Sequence, residues 1–141
     1  MALHLIKLCV GADSIEDLAD WQIKHLATLQ RQKAEAVLAH VTRQTPKRSA
    51  EILAGGSLYW VIKGFIAVRQ RIIGLTPRVI EGVPHCAIAL APPLIPVARK
   101  PMRPFQGWRY LSEEAAPEDL SLKNNGLPPE LQEKLAVLGL L

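Results

Sequence analysis

Cations and aromatic rings are concentrated in the middle of the chain, and these residue types carry the chemistry that the sequence offers. Residues 43–100 contain nine Lys or Arg residues but only two acids, Glu51 and Glu81. Arginine binds phosphate through charge-assisted hydrogen bonds, and aromatic rings stack on nucleobases. The pattern predicts an anionic partner, either RNA or a nucleotide. The alternative is a basic surface that only faces water.

The candidate site residues form two sets with different chemistry. The cations expected to hold phosphate or to contact base edges are Arg43, Lys47, Arg48, Lys63, Arg69, Arg71 and Arg109. The aromatic residues expected to stack on bases are Tyr59, Trp60 and Trp108. Because adjacent residues of a strand face opposite sides, Tyr59 and Trp60 cannot both face one cleft, and we favour Trp60.

Two of these cations lie in the stretch "TPKRSAEILAGG", residues 45–56. It predicts a short helix with Thr45 as N-cap, Pro46 at the first helical position and Gly55 at its end. Lys47 and Arg48 would then lie at the positive end of the helix dipole, which costs roughly 0.3–1 kcal/mol per cation. Either both charges point into water or an anion lies beside the free N–H groups of this turn.

Signatures of enzyme chemistry are weak in this sequence. No glycine-rich phosphate loop occurs, and the four histidines and two cysteines do not have metal-site spacing, so we predict no metal and no other cofactor. An enzymatic function is therefore uncertain, and it is the less favoured interpretation. The alternative function is a small enzyme on a phosphorylated or nucleotide substrate, using His40 or His85 with a neighbouring acid. A third is a homo-oligomeric interaction module, a homodimer for example, that associates through Trp108 or the Leu131–Leu138 face.

Short strands and a few helices are predicted along the chain, which indicates an α+β fold with mostly antiparallel strands and two or three packing helices. Residues 12–32 predict a helix capped by Asp13 or Ser14, and Lys63–Gly64 a hairpin turn. The predicted strands are 3–11, 35–43, 57–63, 65–75, 85–91 and 94–98. Residues 76–84 are expected to form a loop, Pro92–Pro93 to stop a strand, and Pro96 to lie in an edge strand.

Length and hydropathy favour one domain in the cytoplasm. We expect a core over residues 1–111, a polar connector over 112–127 and a C-terminal helix over 128–141 that docks on the core. The apolar runs 58–62 and 86–90 are too short to span a bilayer, so no membrane partner is expected. The start of the chain has no signal-peptide pattern.

Several sequence blocks resemble a known family. They are "LHLIKLCVG", "HVTR", "PKR", "GGSLYWVIKG", "RQRI" and "RPFQGWRYL". Together they are similar to the uncharacterised alphaproteobacterial, hence bacterial, family known as domain of unknown function 1489, over nearly the whole chain up to about Leu111. This resemblance implies no function.

The order of elements over residues 43–74 is similar to pseudouridine-synthase-and-archaeosine-transglycosylase-like (PUA-like) folds, especially their ASCH and EVE branches. That second resemblance implies a small, partly open β-barrel with a cleft for RNA or a modified base. It is an analogy at the level of the fold.

Overall fold

A six-stranded mixed sheet and two helices make up the part of the chain that the computed structural model describes, residues 2–32 and 38–120. In chain order these elements are β1 (Leu3–Leu8), α1 (Ile15–Arg31), β2 (Leu38–Thr42), α2 (Ser49–Leu53), β3 (Ser57–Ile62), β4 (Phe65–Ile80), β5 (Val83–Pro101) and β6 (Trp108–Ser112). The strand order is β2-β5-β4-β3-β1-β6, in which β1 and β3 are parallel and all other neighbours are antiparallel. This architecture agrees with the predicted α+β class. The predicted C-terminal helix lies outside the described residues.

Helix α1 begins where its capping sequence predicts. The Ser14 side chain accepts a hydrogen bond from the Asp17 N–H (3.1 Å), and Glu16 and Asp17 lie in the first turn. The hydroxyl satisfies a free donor, and the acids oppose the positive end of the helix dipole. Leu18 and Ala19 are buried and pack α1 against the sheet.

Helix α2 begins later than its sequence predicts. It starts at Ser49, with Arg48 as N-cap and no side-chain cap, so the predicted Thr45 cap and the start at Pro46 are wrong. The N–H groups of Lys47 and Arg48 donate instead to the Tyr110 hydroxyl, at 3.0 and 3.2 Å. The Tyr110 hydroxyl of β6 thus accepts two backbone hydrogen bonds just before α2 begins. Lys47 and Arg48 lie in the turn that precedes this helix.

The predicted loop 76–84 is instead part of a long two-stranded ribbon. The β4–β5 ladder continues through Thr76↔Ala87 and Arg78↔His85 to a two-residue turn at Glu81–Gly82. Both turn residues have positive φ, 51° and 76°, as a tight hairpin requires. The loop prediction is wrong because this pairing continues past Pro77. The hairpin predicted at Lys63–Gly64 is confirmed, with φ of 49° and 81°.

Pro92–Pro93 do not end β5, which continues to Pro101. Three register shifts in β4–β5 pairing let the strands stay together past the prolines. Strand β2 pairs with β5 only at residues 86–90, so Pro96 lies outside that pairing. The Pro96 C=O instead accepts a hydrogen bond from the Leu120 N–H (2.9 Å). Because N–H and C=O of one strand residue point to the same side, the missing donor of Pro96 faces residues 118–120 and not β4.

A bulge also changes which side chains of β4 share a face. Strict alternation in residues 65–75 predicts Ile66, Val68, Gln70 and Ile72 on one side. A register shift lies between Ile66 and Val68, and these two side chains pack in different clusters. An extra residue in one strand reverses the alternation, so the prediction is wrong for Ile66.

The sheet curls toward the face that carries both helices, which we call the concave face and which contains Leu5, Leu58 and Trp60. In a flat sheet β2 and β3 would lie about 14 Å apart, three strand spacings. The His40 and Trp60 rings are nevertheless 5.2 Å apart, and Trp108 Nε1 donates to Gln44 O (2.7 Å) from the opposite sheet edge. No ladder joins β2 to β6 within the described residues, so the sheet is open and the predicted barrel is not confirmed.

Candidate ligand-binding site

A cavity of about 420 Å³ opens on the concave face between the end of β1, the first turns of α1 and strand β2. Its volume lies in the range of small-molecule sites, roughly 300–1,000 Å³. Most of its wall is apolar. The polar or aromatic side chains that line it are Lys7, Cys9, Trp21, Gln22, His40 and Trp60. Among the described lining residues Lys7 is the one Lys or Arg, and none is an Asp or Glu.

Lys7 lies between two tryptophans in a row across three strands. Its direct partner on β3 is Trp60, and its direct partner on β6 is Trp108. Directly paired residues face the same side of a sheet, so all three side chains project from the concave face. Burial lowers the pKa of the Lys7 amine. Sequence analysis missed Lys7, although alternation in "LHLIKL" places it on the same face as the buried Leu3 and Leu5.

A buried amide pair fixes the orientation of Trp60. Gln22 and Gln70 exchange hydrogen bonds of 2.7 and 3.0 Å, and Trp60 Nε1 donates to Gln70 Oε1 (3.1 Å). The indole N–H can only donate, which requires the Gln70 oxygen on that side. Trp60 is 4% exposed and Gln70 is fully buried. The indole is therefore held rigidly at the cavity.

His40 lines the same cavity and has a buried ring nitrogen without a partner. Its Nε2 is buried and has no hydrogen-bond partner among the described residues, and its ring meets Trp60 edge to face at 5.2 Å. Burial, with the nearby charge of Lys7, lowers the pKa of His40 from 6.5 to about 4. The ring is therefore neutral at pH 7. A pKa of about 4 does not suit a general acid or base that works near pH 7, which is the role that the enzyme alternative gives to His40.

The lowered His40 pKa predicts a specific pH dependence of stability. Between pH 6.5 and about 4 the unfolded chain binds a proton on this ring that the folded chain does not, so acidification favours unfolding. Urea unfolding at pH 7 and pH 5 should show a smaller acid-induced loss for His40→Phe than for the unmodified protein. His85→Phe, on the β4–β5 ribbon, is the control and should keep the full loss. Equal losses in all three proteins would contradict the burial of a neutral ring.

A cationic segment is fixed to β6 at the edge of the concave face. Trp108 Nε1 donates a hydrogen bond to Gln44 O, and the Tyr110 hydroxyl accepts hydrogen bonds from the N–H groups of residues 47 and 48. The Arg48 guanidinium lies 5.6 Å from the Tyr110 ring centre and donates to both Glu51 carboxylate oxygens, at 2.5 and 2.8 Å. The charge of Arg48 is thus opposed within the chain. The side chains of Arg43, next to Gln44, and of Lys47 are exposed.

The other predicted cations do not join this group. Arg69 donates to both Asp119 oxygens (2.8 Å each) and to Ser57 Oγ (2.8 Å) on the opposite face, which we call the outer face. Arg71 pairs in register with Ser57 and is exposed, while Lys63 lies in the β3–β4 turn. The guanidinium of Arg109 lies over Phe105, also on the outer face (4.8 Å).

The two aromatic neighbours on β3 are both buried, at 4% exposure each, and face opposite sides. Trp60 faces the concave side, as the sequence favoured, and Tyr59 packs in the outer-face cluster. The predicted site is therefore divided: the structure brings Trp60 and Trp108 together with the segment 43–48, and places Tyr59, Arg69, Arg71 and Arg109 elsewhere.

A polar network that the sequence did not indicate fastens residues 113–120 to the outer face. His4 Nδ1 accepts from the Ser57 N–H (2.9 Å), so Nε2 carries the proton and donates to Glu113 Oε2 (2.6 Å). Arg69 holds Asp119, and Lys100 Nζ donates to Ala115 O (2.9 Å). These contacts join residues far apart in the chain.

Residues 2–32 and 38–120 contain no group of three or more His, Cys, Asp or Glu side chains placed to hold a metal ion. Within the same ranges, neither helix is long and apolar enough to cross a membrane.

Fold and site together define an α+β protein with a curled mixed sheet and an aromatic cavity that contains one lysine. The chain belongs to the family described as Protein of unknown function (DUF1489), whose model matches residues 5–141. The match therefore continues past the blocks that end at Leu111. No curated protein and no solved structure gives a significant match to the chain.

Proposed function

We propose that the protein binds RNA or a nucleotide on its concave face. The observation that carries this proposal is the row Trp60–Lys7–Trp108 on the concave face, in which Lys7 and Trp60 line the cavity. Aromatic rings can stack on any base, and each stacked base contributes roughly 1–3 kcal/mol to binding. A lysine between two such rings supplies a hydrogen-bond donor. His40, whose buried Nε2 has no hydrogen-bond partner among the described residues, also lines this cavity.

Phosphate contacts are assigned to Arg43 and Lys47. Both side chains are exposed next to the segment that Trp108 and Tyr110 hold in place. Arg48 and Arg69 already bind Glu51 and Asp119, so an incoming phosphate would have to compete with a carboxylate. The curl of the sheet supports the PUA-like partly open barrel as part of this proposal. The cytoplasmic location, the domain limits and the homodimer stay predictions.

Charge reversal at the two proposed phosphate contacts tests the function. Binding of a fluorescent single-stranded RNA is measured at two salt concentrations for the unmodified protein and for Arg43→Glu/Lys47→Glu. We expect the double variant to bind at least roughly tenfold more weakly at low salt and its salt slope to fall by about two. A DNA oligomer and single nucleotides, titrated in parallel, identify the preferred ligand class.

The matched control is Lys63→Glu/Arg71→Glu, which changes the net charge equally but lies on the β3–β4 turn and the outer face. It should weaken binding by no more than about threefold, because only general attraction is lost. Equal weakening by both pairs would reject a site on the concave face. Absence of binding to every nucleic acid and nucleotide at low salt would reject the function.

A further inference from the structure

We propose that Lys7 is a nucleophile that condenses with the carbonyl group of a small apolar or aromatic aldehyde bound in the concave cavity. This activity goes beyond nucleic-acid binding and does not depend on it.

The surroundings of Lys7 shift its amine toward the uncharged form. Its neighbours across the sheet are the indoles of Trp60 and Trp108, and the described residues that line the cavity include no carboxylate to stabilise an ammonium ion. The facing groups that can titrate are His40 on β2 and Cys9 on β1, while Asp17 on α1 lies near Cys9. Lys7 is partly buried, and partial burial in an apolar pocket increases the fraction of a lysine amine that is neutral and able to attack carbonyl groups.

Cys9 is the other nucleophile of this cavity, and it is the weaker candidate. Burial, with the charge of Asp17, raises the pKa of the Cys9 thiol to about 11. The thiolate is the reactive form of cysteine, so at pH 7 to 8 almost none of it is present. Burial acts in opposite directions on the two groups, because it suppresses the reactive thiolate but favours the reactive neutral amine.

The proposed step needs no oxidant, reductant or metal. The Lys7 nitrogen attacks the carbonyl carbon, the C=O π pair moves to oxygen, and one N–H proton is transferred to that oxygen. The resulting hydroxyl leaves as water with the second N–H proton as the C=N bond forms. Amine plus aldehyde therefore becomes imine plus one water. The cavity is large enough for a ring-sized group beside Trp60 and His40.

Reductive trapping tests the step in the whole protein without nucleic acid. The protein is treated with benzaldehyde and sodium cyanoborohydride at pH 7, and the rate of adduct formation at each lysine is read by peptide mass mapping. We expect Lys7 to react several-fold faster than Lys63, because burial in an apolar cavity increases the neutral fraction of its amine. The Lys7 rate should also saturate with benzaldehyde concentration, because the aldehyde binds in the cavity first.

Two controls separate cavity chemistry from ordinary amine reactivity. Benzyl alcohol, which has the ring but no carbonyl, should slow labelling of Lys7 and leave Lys63 unaffected. Lys7→Arg should remove the fast adduct while its circular dichroism spectrum and unfolding midpoint stay unchanged. A Lys7 rate that is no faster than that of Lys63, or that rises linearly with benzaldehyde, would overturn the proposal whatever the outcome of the RNA titrations.

Discussion

Replacing Gly56 with alanine is expected to lower the free energy of unfolding by about 3 kcal/mol or more, because the fold leaves no space for a methyl group there. A Cβ at this position would lie 2.2 Å from Leu3 O and 2.6 Å from Ile52 O. Gly56 also donates its N–H to Ile52 O (2.7 Å) and accepts from the Ile72 N–H (3.0 Å). Since the contacting oxygens belong to the backbone, β1 or α2 would have to move to relieve the clash.

Thermal and urea unfolding of Gly56→Ala measures this loss, with Gly74→Ala as the matched control. A Cβ at Gly74 would meet the Ala89 Cβ at 3.4 Å, an ordinary contact, and neither glycine requires positive φ. The comparison therefore isolates the space around the new methyl group. We expect Gly74→Ala to change the free energy of unfolding by less than about 1 kcal/mol. A Gly56→Ala midpoint within about 2 °C of the unmodified protein would show that β1 and α2 do not approach so closely.

Replacing Gln70 with methionine is the second change with a large expected effect, a loss of about 2–4 kcal/mol in the free energy of unfolding. Methionine has a similar size and shape, so the change removes hydrogen bonds with little change in volume. It leaves the Trp60 N–H and the Gln22 amide without the partner that accepts and donates at 2.7–3.1 Å. A buried polar group without a partner costs more than the bond itself contributes.

Gln106→Met is the control for this experiment, because Gln106 is exposed. It should change the free energy of unfolding by no more than about 0.5 kcal/mol. The fluorescence of the tryptophans provides a second readout, since Gln70→Met releases the indole of Trp60 from its hydrogen bond. If Gln70→Met unfolds at the same urea concentration as Gln106→Met, the amide pair contributes nothing to stability.

Local signals in the sequence predicted several elements correctly. Ser14 followed by Asp17 specifies the start of α1, because its hydroxyl can reach an N–H within the same turn. Lys63–Gly64 specifies the first hairpin, because a two-residue turn needs positive φ at both positions. Each of these inferences depends on residues that lie close together in the chain.

Long-range contacts decided the remainder of the candidate site. Arg69 was predicted to contact an outside anion, but Asp119, fifty residues later, binds its guanidinium. Lys47 and Arg48 precede α2 because a hydroxyl sixty-two or sixty-three residues later binds their N–H groups. Neither partner could be identified from spacing, since a carboxylate or hydroxyl at any distance in the chain would serve equally well.

The sequence by itself determined the α+β class, the capped first helix, the first hairpin and the residue types available for binding an anion. Only the tertiary structure decided that Lys7 lies between Trp60 and Trp108, and that Tyr59 and Arg69 face the opposite side. The physical reason is that strand pairing and bulges set register and face, and both depend on which strands meet. The curl that brings His40 to Trp60 is likewise a property of the assembled sheet and not of either strand.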